Sequence, residues 1–551
     1  MRVEPGSGRT GQLGGRSGRP GPVHDSDRGV GVLSPRFGQR TAGRSRPAAL
    51  IATAPDSHVG HAQAAARQAR CRSAVTRAGH HDSVLTKAFP IDLRRCQVLG
   101  LAGTACLALG GETAGALPAR ELLAPSSVHA VLGLVGVYFG LVLLTAAWIL
   151  LGTLVRGADP PAPRALVLVL AVWAAPLLIA PPLFSRDVYS YLAQGAMVDA
   201  HLDVYAHGPA RLGGPLADEV APLWRNTGAP YGPVFLAVAA ALSGLTRGAL
   251  SAGLLGMRCV AIAGVALMTA ALPRLARHSG ADPAAALWLG ALNPLVLLHL
   301  VAGAHNDAIM LGLLGVGLVA ALGRRPVLGA VLVTLAALVK APAALGLVAV
   351  VVLSLRAGRP PVRTLLSTAA ATAVTTVAAT AVAGTGYGWI AALDTPVSAH
   401  NWALTSLLGR ATRALLDGLG SDLAPWAVPV WHALGLAVTA VALVVIWWRL
   451  RRRPVYALGL SLATVAAFGP ALRPWYALWG LFLIAAAAPD TLIRHRTAAV
   501  AGVLALAVLP DGDPADSGRL ILAVCGGALA VVVLWQAHLA AQAPTALGRT
   551  A

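Results

Sequence analysis

Apolar runs close to the length of a bilayer-crossing helix recur from residue 97 to residue 537, and they limit the chain to very few architectures. They lie near 97–116, 128–154, 165–184, 249–273, 284–303, 307–323, 327–340, 342–355, 364–384, 427–448, 455–471, 475–489, 497–511 and 519–537. A hydrocarbon core about 30 Å thick takes about 20 residues of helix, and inside lipid every backbone polar group must be satisfied internally. Hydrophobic residues make up 56% of the 551 and charged residues 12%, too little polar surface to clothe a water-soluble globule. The expected fold is an all-α polytopic membrane protein with about 14 transmembrane helices.

Arginine placement sets the expected sidedness, because short cytoplasmic loops carry the excess of Lys and Arg. Arg94-Arg95, Arg156, Arg164, Arg274, Arg277, Arg324-Arg325, Arg356, Arg359, Arg363, Arg449, Arg451 to Arg453, Arg494, Arg496 and Arg549 all fall on one side of those fourteen spans. Both termini are then cytoplasmic, including the short tail 541–551, in a multi-pass plasma-membrane protein. Tyr231 to Thr246 is apolar enough to span, yet counting it would put Arg274 and Arg277 outside. It reads instead as a juxtamembrane or re-entrant helix on the outer face.

A net charge of +20 raises the question of nucleic acid, and its distribution answers it. Residues 1–95 hold 16 Lys and Arg against 6 Asp and Glu, half of the whole excess. That tail is rich in Gly, Pro, Arg and Ser without an apolar period, the pattern of a disordered basic arm or of a start codon assigned too early. It lacks the apolar core of a signal peptide. No nucleic-acid partner is expected; anionic membrane lipid is the partner such an arm would meet. The five cysteines, Cys71, Cys96, Cys106, Cys259 and Cys525, stand singly, which points to neither disulfides nor zinc.

Ser185 to Pro230 breaks the apolar pattern with a long polar and aromatic stretch, and the outer loop it begins, 185–248, is where chemistry is expected. Asp187 opens it at the mouth of a span, where it could cap a helix, pair with Arg186 or act on a substrate. Tyr189, Tyr191, Gln194, Asp199, His201, Asp203, Tyr205 and His207 follow, a mixture suited to sugar hydroxyls and ring faces. His305-Asn306-Asp307 occupies a tight turn between spans; Asn and Asp are ordinary turn residues, whereas His305 is less easily explained that way. These residues supply too few ligands for a metal. Lys340, Arg258 and Arg473 place cations near the outer leaflet, either snorkelling or holding a phosphate. Tyr387, Trp389, Asp394, His400, Asn401 and Trp402 follow Gly384, fitting a sugar-binding loop or an interfacial helix equally.

Taken in order, Asp187-Val188-Tyr189-Ser190-Tyr191, Trp224 to Pro233, Asn293-Pro294 with Gly303 to Asp307, Lys340-Ala341-Pro342 and Arg473-Pro474-Trp475-Tyr476 resemble the polyprenol-phosphate-mannose-dependent α-1,6-mannosyltransferases of actinobacterial lipomannan assembly, the MptA/MptB type. The likeness extends over about 96–540. It implies a GT-C-type membrane glycosyltransferase with a large first extracytoplasmic catalytic loop, a polyprenyl-phosphate mannose donor, a mannan or lipoglycan acceptor and no cofactor. It implies Asp187 as the acidic residue that serves as catalytic base. On the chemistry of the residues themselves, substrate contacts are expected from Tyr189, Tyr191, His305, Asn306, Asp307, His400, Asn401 and Tyr476, and lipid-phosphate contacts from Lys340, Arg473 and Arg258. Many C-type enzymes carry two adjacent acids in this loop; here Arg186 and Val188 flank a single Asp187. Two other classes compete. One is a transporter or flippase of a lipid-linked sugar, which would place polar groups on broken helices at the midplane and show internal repeats. The other is a noncatalytic envelope scaffold.

Overall fold

Proline and small polar caps decide where most helices begin. The computed structural model describes residues 92–118, 121–124, 126–394, 401–512 and 516–542, all within one structural unit, Gly79–Ala551. Residues 1–91 of the expected tail and His400 lie outside these residues. Asp92 caps α1 (Leu93–Ala114), accepting from the Arg95 backbone N–H at 2.7 Å, and Ser127 caps α2 (Val128–Val155). Pro163 starts α3 (Pro163–Ile179), where its missing N–H would have had no partner anyway. The described residues of this unit carry helices and turns and no β-strand.

The polar stretch after α3 is folded. It opens with α4 (Asp187–Asp199), most of whose side chains are buried, runs through short helical turns at Pro209–Arg211, Gly214–Asp218 and Pro222–Trp224, and ends in α5 (Pro233–Thr246). Gly195 lets α4 lie on α5, since a Cβ there would sit 2.4 Å from the Ala239 carbonyl oxygen. At 14 residues α5 reaches only about 21 Å, short of a bilayer crossing.

Long helices surround a centre of broken ones. After α6 (Leu250–Ser279) the segment expected as one span at 284–303 is interrupted: α7 (Pro283–Gly290) stops, and a π-helical stretch, Val296–Ala302, precedes α8 (Asp307–Leu322) at a bend of 108°. Asn293 accounts for the break: its amide returns to the Leu289 carbonyl while its oxygen accepts from Val296 N–H, and Pro294 has no N–H to continue the ladder. Next, α9 (Pro326–Ala337) and α10 (Gly346–Arg356) are joined through Leu338 to Leu345, so this expected pair of spans is also short. The chain continues through α11 (Pro361–Ala383), α12 (Leu404–Gly418), α13 (Ala427–Leu450), α14 (Pro454–Phe468), α15 (Ala477–Ala487), α16 (Thr491–Leu506) and α17 (Ser517–Gln542).

Among the described residues five helices are long and apolar enough to cross a membrane, Val128–Val155, Leu250–Ser279, Pro361–Ala383, Ala424–Leu450 and Ser517–Leu539, or six if the bent pair counts as one span. This establishes a multi-pass membrane protein with fewer clear spans than the sequence pattern suggests. Small residues bring the backbones together: a Cβ on Gly103 of α1 would lie 2.8 Å from the Gly140 carbonyl oxygen of α2. Without a hydrophobic drive between helices in lipid, such close approach supplies the packing. Trp148 of α2 and Trp288 of α7 stack at 5.1 Å and each donates its indole N–H to the other's carbonyl.

Candidate active site

Two backbone kinks aim the site residues. Phe184 sits at φ 66°, its N–H held by the Pro510 carbonyl at 2.6 Å, and Ala304 at φ 51°. Left-handed backbone at a non-glycine residue costs about 1–3 kcal/mol and persists only where the surroundings impose it. Immediately after each kink comes a polar motif, Ser185-Arg186-Asp187 and His305-Asn306-Asp307.

Asp187 and Arg186 part company. Arg186 donates to the Leu117 and Glu219 carbonyls at 2.8 and 3.3 Å, pairs with the Glu219 carboxylate at 3.5 Å and lies over the Tyr189 ring. Asp187 is the first residue of α4 rather than its cap; its N–H donates to Ser185 Oγ. Neither structural role open to it from sequence is therefore occupied. Its carboxylate keeps 24% of its side-chain surface open and lies 3.6 Å from His305 Nδ1. The same Nδ1 is 3.2 Å from the Tyr191 hydroxyl, and the fully buried His305 ring stacks on Trp475 at 4.0 Å.

A second cluster stands beside it. Asp307, fully buried, accepts from Lys340 Nζ at 2.8 Å and from the Trp479 indole N–H at 2.5 Å. The Lys340 ammonium lies 4.8 Å above the Tyr476 ring, which stacks on Trp479 at 4.2 Å. Gly232 makes this junction possible: it approaches the Leu338 carbonyl so closely that a Cβ would stand 2.2 Å away, and Val234 N–H donates to that carbonyl. The motif around Tyr231 is thereby pinned to the chain leading into Lys340.

Both clusters open on a cavity of about 220 Å³. Its wall carries Asp187, Ser190 and Gln194 from α4, Trp224, Thr227, Gly228, Pro230 and Tyr231 from the end of the polar stretch, Lys340, Ala341 and Pro342, Ala392, and Arg473, Trp475, Tyr476 and Trp479. Among the described residues no carboxylate lies within ion-pair distance of Arg473. None of them forms a group of three or more His, Cys, Asp or Glu suited to a metal. Burial pushes the Asp187 carboxyl above the usual carboxylate range, while Arg473 and Lys340 oppose that shift.

Of the residues expected to act on substrate or phosphate, Asp187, Lys340, Arg473 and Tyr476 line the cavity, as do Gln194, Trp475 and much of the Trp224 to Pro233 motif. Tyr191, His305 and Asp307 stand behind the wall and hold it. Tyr189 faces elsewhere, donating to the Ala116 carbonyl at 2.7 Å. Arg258 is not on the wall either: its guanidinium is spent on the Leu178 and Ala302 carbonyls, tying α6 to the ends of α3 and the π-helical stretch. Asn306 is buried off the wall with its amide unpartnered, and Asn401 Oδ1 accepts from the Ala403 N–H at the start of α12. Trp479 was missed, although its spacing of three and four from Tyr476 and Trp475 marks one helix face. Buried His299, tilted against His305 and Trp475, carries no comparable signal.

Family comparison draws these elements together. Residues 97–356 match the N-terminal domain of α-(1→6)-mannopyranosyltransferases of the MptA/MptB family, and residues 405–536 match the MptB C-terminal domain. The chain is 37% identical over 443 residues to α-(1→6)-mannopyranosyltransferase A of Mycobacterium tuberculosis, covering 75% of this chain and 84% of that one. It belongs to the MptA/MptB family of α-(1→6)-mannopyranosyltransferases. Similarity to α-(1→6)-mannopyranosyltransferase B of Corynebacterium glutamicum is 31% over 493 residues, 80% of each chain. A further relative, described as a probable α-(1→6)-mannopyranosyltransferase of Mycolicibacterium smegmatis, is 33% identical over 505 residues. The protein is thus an α-1,6-mannosyltransferase, which sets aside the transport and scaffold readings. Its cavity draws Asp187 and Lys340 from the first matched segment and Arg473 to Trp479 from the second.

Proposed function

We propose that this mannosyltransferase moves mannose from a β-linked polyprenyl-phosphate mannose to an α-1,6-mannan acceptor of the lipomannan or lipoarabinomannan type, with inversion, on the extracytoplasmic face. The observation that carries the reading is one open carboxylate, Asp187, sharing a cavity with Lys340 and with Arg473. Asp187 takes the proton of the acceptor hydroxyl as that oxygen bonds to C1; the C1–O bond to phosphate breaks, and polyprenyl phosphate departs with the electron pair. A phosphate leaves already charged, so no general acid is needed, and one displacement inverts the anomeric centre. Arg473 and Lys340 meet the charge that develops on the leaving phosphate. Tyr476 and Trp479 offer the sugar a flat wall.

The reading extends to architecture: a GT-C-type domain over 96–540 with about 14 transmembrane helices, 185–248 as its catalytic loop and juxtamembrane helix, residues 1–95 as a basic tail and 541–551 as a cytoplasmic end. The convergence of Asp187, Lys340 and Arg473 on one cavity supports it: all three then share the face opposite the Arg-rich turns, the face that the bias of Lys and Arg would make extracytoplasmic. The test is to give membranes containing the chain a radiolabelled polyprenyl-phosphate mannose and a short α-1,6-mannose acceptor. An elongated product is expected; transfer from a nucleotide-linked mannose alone would overturn the donor assignment.

The base must be ionised to work. With its carboxyl raised by burial, the acid limb of kcat/KM is expected above the ordinary Asp value of about 4, activity falling as pH falls through it. A limb at or below that value would show that another group is the base.

His305 presents Nδ1 to both Asp187 and Tyr191, while its buried Nε2 has no partner. His305→Asn places an amide near Nδ1 and His305→Gln places one near Nε2. The Asn variant is expected to turn over at least about tenfold faster than the Gln variant, the value of one hydrogen bond to a charged group. Equal loss in both would mean that the ring matters only as packing against Trp475.

A further inference from the structure

A second, larger cavity of about 450 Å³ lies against Arg186, the residue next to the proposed base. We infer that it binds the inner sugars of the acceptor, a neutral and hydroxyl-rich oligosaccharide, while the cavity at Asp187 takes the donor sugar. The inference rests on the proposed direction of transfer and adds a site that this direction does not require.

Size separates the two cavities. Pockets for drug-sized ligands run from about 300 to 1,000 Å³; the 450 Å³ space is within that range and the 220 Å³ one, below it, suits a smaller group such as a single sugar. Position links them. Successive residues Arg186 and Asp187 line different cavities, so a glycan whose end sugar meets Asp187 has the larger space on the other side of one residue of backbone.

Charge identifies the ligand class. At Asp187 the wall offers Arg473, which among the described residues has no carboxylate within ion-pair distance and so suits a phosphate. In the larger cavity Arg186 pairs with Glu219, Arg519 pairs with Asp511, and Arg225 is spent on the Val220 and Asp218 carbonyls. With its cations balanced or engaged, this wall does not select for an anion; the exposed Asp218 carboxylate gives it an acceptor for sugar hydroxyls. Leu117, Leu134 and Ala130 supply an apolar side for the C–H faces of the rings.

Ala130→Trp, filling the space from α2, and Asp218→Ala, removing an exposed carboxylate whose backbone carbonyl still holds Arg225, test the assignment. Two readouts are needed: binding of α-1,6-mannohexaose to the detergent-purified full chain by calorimetry, and the ratio of KM for α-1,6-mannobiose to KM for the hexaose. Wild type is expected to bind the hexaose and to prefer it over the biose by about tenfold or more, and each variant to weaken hexaose binding about tenfold and reduce that preference toward one. Hexaose binding unchanged in both variants, with thermal stability intact, would overturn the inference. Hexaose binding that is lost in the variants while wild type refuses polyprenyl-phosphate mannose would uphold this site and sink the donor assignment instead.

Discussion

Asp187→Asn is expected to lower transfer by about 10²- to 10⁴-fold, the range that a positioned general base supplies. Asn is isosteric, keeps the N–H that donates to Ser185 Oγ, and stays within reach of His305, so folding and membrane insertion are expected to persist. The donor is held by other groups, Lys340 and Arg473, and its binding is expected to change little. The loss should therefore appear in kcat with the donor KM nearly preserved. Turnover within a few fold of wild type would require a different base, and among the described residues no other carboxylate lines the cavity.

Asp307→Asn is expected to destabilise the protein by about 3–5 kcal/mol, the cost of leaving one member of a buried ion pair alone. Asp307 is fully buried and the Lys340 side chain is 13% exposed, so water can do little to relieve the orphaned ammonium. The substituted amide could still accept from Trp479, but its NH₂ would compete with the Lys340 donor. Adding Lys340→Met removes the second charge and is expected to restore most of the thermal stability in detergent. Turnover is not expected to return, because the double variant lacks a cation at the leaving phosphate, a loss of about 10²- to 10³-fold. If the double variant recovered activity as well as stability, Lys340 would be structural and Arg473 alone would serve the phosphate.

The cavity was partly legible before any coordinates. Asp187, Lys340, Arg473 and Tyr476 stood out because lipid makes charged and hydrogen-bonding groups at helix ends conspicuous. Which direction each points was not legible. Tyr189 and Tyr191 are two apart on one helix and so face different ways: one ties to the Ala116 carbonyl, the other reaches His305. Arg186 looked like a partner for Asp187 and instead turns to Glu219, 33 residues away. Arg258 looked like a phosphate ligand and instead satisfies two backbone carbonyls left open where helices end.

The sequence by itself determined the class of the molecule, its helical membrane character and the membership of its motifs in one mannosyltransferase family. Each of these rests on a property local in the chain: run length against bilayer thickness, proline and cap residues at helix starts, and a fixed order of short motifs. Only the tertiary structure decided that the expected span 284–303 is broken and the expected pair 327–340 and 342–355 is short, and that Asp307 meets Lys340 and Trp479 across 33 and 172 residues. The reason is physical. A helix with apolar residues on every side, facing lipid on one and protein on another, carries little periodic signal of its rotation. Its orientation is set by glycine contacts such as Gly232 on Leu338 and by paired polar groups far apart in sequence, which exist only once the chain has packed.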